Sequence, residues 1–177
     1  MIRIEDFMQL KAFARQDGMM LAVLWIASFA CMTVIPAGAF GNLLALATPF
    51  FVVWRLIQFR DKVLDGTASF RRSFAFAFYV FVYASLVFAL AQFAYFRFLD
   101  GGAFASAIGE SLRLLAPVYE QNGISNTQIT ESINLVSMLT PVQWAFIFLM
   151  QNLAIGAVVS VPIAAVCKRS GWTTTAR

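Results

Sequence analysis

Two adjacent side-chain amides, Gln151 and Asn152, sit inside a long run without charge and are the residues of this chain best placed to do chemistry. An amide both donates and accepts hydrogen bonds. In apolar surroundings it either ties one helix to another or lines a path for a small polar solute. Asn42 and Gln92, from other uncharged runs, are the natural companions in a polar cluster. Ties worth about 0.6–2 kcal/mol each are the simpler expectation, with the solute path as the alternative. Other reactive residue types are sparse. The chain has no histidine and only two cysteines, Cys31 and Cys167, which excludes a disulfide framework and the usual zinc ligand sets. Both cysteines fall in hydrophobic runs and read as small apolar residues. Asp100, Glu110, Glu120 and Glu131 share a more polar segment and read as a solvated face rather than a catalytic pair. No nucleotide loop, HExxH or GxSxG element is present. We expect no enzymatic activity, no cofactor and no metal.

The elements that hold these amides follow from composition. Of 177 residues, 60% are hydrophobic and only 12% charged, against roughly half and a quarter in soluble domains. Several runs without charge approach or exceed the roughly 20 apolar residues that cross a bilayer. The expected fold is all-α: a polytopic membrane protein, a bundle of four transmembrane helices with two amphipathic helices in the outer loop between spans 3 and 4.

Residues 1–17 mix Arg3, Lys11 and Arg15 with apolar positions and read as a cytoplasmic amphipathic start. Span 1 covers 18–35. Ala37-Gly38-Ala39 imitates a signal peptidase site, but the basic start is long and acid-containing for a signal peptide, so a retained span is preferred. Pro36, Gly38 and Gly41 mark the turn into span 2, at 39–59, where Pro49 predicts a kink. Arg55 lies about one turn from the following loop, so its stem is expected to snorkel and place the guanidinium among lipid phosphates. The loop 60–72, RDKVLDGTASFRR, has a turn at Gly66 and a helix cap at Thr67 or Ser69. Span 3 occupies 73–98.

The only sizeable segment outside the bilayer is 99–140. Ile108, Leu112, Leu115 and Tyr119 share one helical face, Pro117 predicts a bend, and Asn122-Gly123 predicts a stop. A second helix is expected to start at Ser125, whose spacing to Gln128 matches a capping box, with Ile129, Ile133 and Val136 as its stripe. These helices lie on the membrane, cap the bundle, or form a groove for a partner. Span 4 covers 141–167, with Pro141 in its first turn. Its middle amides are expected to face inward, and Gly156, Ser160 and Ala164 form a small-residue packing stripe. Residues 168–177 form a cytoplasmic tail.

Four spans put both termini on the same side as the 60–72 loop. That side holds eleven of the thirteen Lys and Arg residues, and only Arg97 and Arg113 fall opposite. Arg55, Arg60, Lys62, Arg71, Arg72, Lys168 and Arg169 are thus the topology-determining residues, and the positive-inside rule places both termini in the cytoplasm. The net charge of +4 is explained by this distribution and calls for no nucleic acid.

The run LTPVQWAFIFLMQNLAIGAVVSVPIAAVCKR, with Thr140-Pro141 opening the helix and Gly156, Ser160 and Ala164 before a basic stop, resembles the C-terminal end of an uncharacterised bacterial, bacteroidete-type, four-span integral membrane family of unknown function. The RDK, DG and SF elements of 60–70 are similar to that family's inner loop. The resemblance implies architecture and a bacterial inner-membrane location, and adds nothing to mechanism. The expectation is a non-catalytic scaffold or accessory subunit for another membrane or envelope protein, possible as a homo-oligomer. The alternative is a small oligomeric transporter or channel with a polar path near Gln151 and Asn152.

Overall fold

The computed structural model describes residues 4–34 and 39–169. Eight helices follow in order: α1 (Ile4–Val34), α2 (Phe40–Leu46), α3 (Thr48–Val63), α4 (Phe70–Phe98), α5 (Ala103–Leu114), α6 (Ala116–Gln121), α7 (Asn126–Ser137) and α8 (Pro141–Cys167). There is no strand among the described residues. Four helical stretches are long and apolar enough to cross a membrane: Met8–Thr33, Phe40–Val63, Phe70–Phe98 and Pro141–Cys167. At 24 to 29 residues, each reaches about 36 to 44 Å, more than the hydrocarbon thickness of about 30 Å.

Local chemistry sets the helix ends. The second crossing is broken between α2 and α3, because Pro49 occupies the first turn of α3, where a missing N–H is tolerated. Hydrogen bonding continues through the break, with the Ala47 N–H donating to Leu43 O at 3.0 Å and Phe51 N–H to Ala47 O at 2.9 Å. The expected turn between the first two crossings falls largely outside the described residues; of its glycines, Gly41 lies inside α2. Asp65 and Gly66, both with positive φ, turn the chain after α3, and the Ser69 hydroxyl accepts from the Arg72 N–H at 3.4 Å to cap α4.

The chain divides into two compact units. In the first, Met1–Phe88 with Leu149–Arg177, α4 buries Phe76, Ala77, Val80, Phe81 and Ala84. Two glycines mark where neighbours come closest. A Cβ on Gly18 would sit 2.6 Å from Tyr83 Cβ and 2.9 Å from Val80 O, and one on Gly156 would sit 2.6 Å from Phe81 Cβ. These approaches are ones only glycine permits. Phe59 stacks on Phe76 at 4.5 Å between centroids.

The second unit is Ala89–Phe148. Phe96, Phe104, Trp144 and Phe148 form an aromatic knot joining the end of α4 to the starts of α5 and α8, with Phe104 edge-on to Trp144 at 5.0 Å and Phe96 stacked on Phe148 at 5.9 Å. Helix α5 packs on α7 through Gly109, which meets Ile133 of the predicted second stripe, and Ile129 of that stripe is buried; of the predicted first stripe, Ile108, Leu112 and Tyr119 are half-buried and Leu115 is exposed. Ser125 and Gln128 form the expected capping box. Pro117 goes beyond bending the first helix and separates α5 from α6. Thr140 and Gln143 make a second reciprocal cap at the start of α8, with the Thr140 N–H donating to Gln143 Oε1 at 2.8 Å and Gln143 N–H to Thr140 Oγ1 at 3.4 Å.

Candidate functional site

A largely buried ion pair joins α1 and α3 in the first unit. The side chains of Asp17 and Arg55 are 2% and 17% exposed. Arg55 Nε donates to Asp17 Oδ1 at 2.7 Å, and an Nη2 contact completes the pair. The Arg55 Nη1 group also reaches Gln58 Oε1 at 3.4 Å, and the guanidinium lies 5.5 Å from the Trp54 ring centroid. One expectation is corrected here: Arg55 is held by a carboxylate instead of snorkelling to lipid phosphate. Asp17, the last residue of the amphipathic start read above, belongs to the stretch Met8–Thr33 that is long and apolar enough to cross, because α1 runs unbroken from Ile4 to Val34. A charge in apolar surroundings is costly unless paired, so the two residues require each other.

Further polar ties bind the same hairpin. Trp25 Nε1 donates to Thr48 Oγ1 at 2.9 Å, and the Ser28 hydroxyl donates to Gly41 O at 2.7 Å. Ser28 is buried, and a Cβ on Gly41 would sit 2.9 Å from the Ser28 carbonyl.

The sequence-predicted amides are placed unevenly. Asn42 and Gln151 are exposed and Asn152 is half-buried. Gln92, in the second unit, is 2% exposed, and its Oε1 has no partner. The expectation that both span-4 amides face inward therefore fails for Gln151. Helix geometry supplies the reason. Gly156, Ser160 and Ala164 are buried as expected, and Ser160 lies nine residues, or about two and a half turns, beyond Gln151. The stripe and the amide cannot share a face. Ser160 also donates to Gly156 O at 2.6 Å, two residues before Pro162, which interrupts the α8 hydrogen-bond ladder.

One of the basic residues at the helix ends also makes specific contacts. Arg60 Nε and Nη2 fork onto Asp61 at 2.7 and 3.2 Å, while Arg60 Nη1 donates to Cys167 O at 3.2 Å, satisfying a carbonyl at the α8 terminus. Beside it, Ala68 and Arg169 exchange backbone hydrogen bonds of 3.0 and 2.9 Å. The 60–72 loop is thus clipped to the end of α8, which no local pattern indicated. Lys62, Arg71, Lys168 and Arg169 are exposed and Arg72 is half-buried. Cys167 is buried and Cys31 half-buried, both as free thiols. No group of three or more His, Cys, Asp or Glu residues able to hold a metal is found among the described residues.

Four long apolar helical stretches, the first two tied by buried polar contacts and the second and third joined by a short basic loop, define a four-span integral membrane protein of the all-α class. Residues 16–169 match the family described as Protein of unknown function (DUF4199), and the chain belongs to that family. No curated protein and no solved structure matches it.

Proposed function

We propose that the protein is a non-catalytic scaffold or accessory subunit of the bacterial inner membrane, of bacteroidete type, with both termini cytoplasmic and the α5–α7 segment periplasmic. One observation carries this reading: the polar groups inside the α1–α3 hairpin bind each other, as Asp17–Arg55, Trp25–Thr48 and Ser28–Gly41, while Asn42 and Gln151 are turned outward. The polar interior serves helix registry and leaves the outer surfaces for partners. Leu114, Val118, Leu135 and Met138 are exposed on the α5–α7 segment, a surface suited to a membrane or envelope protein. The basic residue count supports the orientation.

Affinity purification in mild detergent, with partner identification, tests the proposal. A defined membrane or envelope protein is expected, and its recovery should fall in a Leu114→Ser, Val118→Ser, Leu135→Ser variant. Recovery of the protein by itself would count against the role. A reporter fused at Gly123 should read periplasmic and one at Ala68 cytoplasmic; a cytoplasmic Gly123 overturns the orientation.

The unpartnered, buried Gln92 Oε1 favours a second reading, a small oligomeric transporter or channel. Under it, Gln92→Leu or Asn152→Leu abolishes solute flux in proteoliposomes while leaving the helices inserted. Under the accessory role, no solute flux depends on these amides.

A further inference from the structure

Gln151 stands where an amide has no reason to be unless something covers it. It lies ten residues after Pro141 and sixteen before Cys167 in α8, so about 15 Å and 24 Å of helix separate it from the two ends. That is beyond the reach of a glutamine side chain toward either interface. It is nonetheless exposed, on the face opposite the Gly156, Ser160 and Ala164 stripe that packs into its own unit. Around it the face continues with Ala154, Ile155, Val158 and Ala165, all exposed and uncharged. Asn42 makes the contrast, since it is the third residue of α2 and stands at the very start of the stretch Phe40–Val63. In hydrocarbon no water replaces a missing partner, so each unsatisfied polar group there is costly.

We propose that the Gln151 face of α8 is the seam of a homodimer, with Gln151 of one copy hydrogen-bonded to Gln151 of the other across a twofold axis. The amide favours this occupant. It carries a donor and an acceptor, so two copies related by a twofold axis satisfy each other reciprocally, and the symmetry delivers the partner group at the matching depth. A different protein would need its own polar residue at that level. Ala154, one turn away, lets the second backbone approach, and the absence of charge on the face removes like-charge repulsion between identical surfaces. The inference rests on α8 alone and stands whether or not the accessory role holds.

The test is oxidative cross-linking in native membranes, in a Cys31→Ala, Cys167→Ala background. Gln151→Cys and Val158→Cys should form covalent dimers, while Ser160→Cys, on the buried face, should not. In liposomes, dilution followed by energy transfer between labelled copies should show Gln151→Leu weakening the dimer by about three- to thirtyfold, the range expected for interhelical hydrogen bonds, with Gln151→Asn less affected. Helicity and membrane insertion of Gln151→Leu should match wild type, because the residue is exposed in its own chain. An inserted Gln151→Cys protein that remains uncross-linked overturns the proposal. So does a photo-cross-linker at position 151 that captures a different protein, or a Gln151→Leu dimer of undiminished affinity.

Discussion

Removing Arg55 should damage this protein more than removing Asp17, and removing both should damage it least. Asp17 is 2% exposed and draws its charged contacts from Arg55, whereas Arg55 is 17% exposed, retains Gln58 Oε1 at 3.4 Å, and lies five residues before Arg60 at the helix end. Arg55→Leu therefore strands a buried carboxylate, at a cost of about 3–5 kcal/mol. Asp17→Leu strands a guanidinium that keeps an acceptor and some access to the interface, at about 1–3 kcal/mol. The double Leu variant removes both charges and should lie within about 1 kcal/mol of wild type, since replacing a buried ion pair by apolar side chains is often neutral or better. The coupling energy should thus exceed the roughly 0.3–0.5 kcal/mol within which independent sites add. Unfolding of the four proteins in mixed micelles by SDS titration, followed by helical circular dichroism, measures the cycle. Additive effects would refute the pairing, and equal losses for the two single variants would refute the asymmetry.

Other substitutions read out other contacts. Gly156→Ala places a methyl 2.6 Å from Phe81 Cβ, and Gly18→Ala places one 2.9 Å from the Val80 carbonyl; each should lower stability by about 1–3 kcal/mol in the same titration. Neither clash is easily relieved, because Phe81 Cβ and the Val80 carbonyl both move only with the backbone of α4. Ser125→Ala removes the α7 capping box and should cost about 1 kcal/mol, seen as faster amide exchange confined to the first turn of α7. Arg60→Ala frees the Cys167 carbonyl and loosens the clip to Ala68, so tryptic cleavage after Lys168 and Arg169 should accelerate while the α5–α7 segment keeps its cleavage pattern.

The parts of this molecule legible in the residue string are those governed by local rules. Pro49, Pro117 and Pro141 announced a kink, a bend and a start, the first two deepening into breaks between helices; Ser125 with Gln128 announced a cap; and Gly156, Ser160 and Ala164 announced a packing stripe. The second cap, at Thr140 and Gln143, has the same spacing and was equally available. The inward placement of Gln151 failed on a local rule as well, since two sets nine residues apart cannot both face the interior. What no spacing revealed was the partnership of Asp17 with Arg55, 38 residues apart, or of Arg60 with Cys167, 107 apart.

By itself the sequence determined the number of crossings, their approximate limits and the imbalance of basic residues across them, because hydropathy and helix capping depend on each residue and its near neighbours. Tertiary structure alone decided what the charged and polar groups do. Arg55 on an isolated helix would reach for lipid phosphate, as its distance from the helix end suggests; only when α1 lies beside α3 does Asp17 come within hydrogen-bond range and make the buried pair the better solution. Gln151 is the converse case. The packing that buries the opposite face of α8 leaves this amide outside, and so turns a residue read as part of the interior into the surface most in need of a partner.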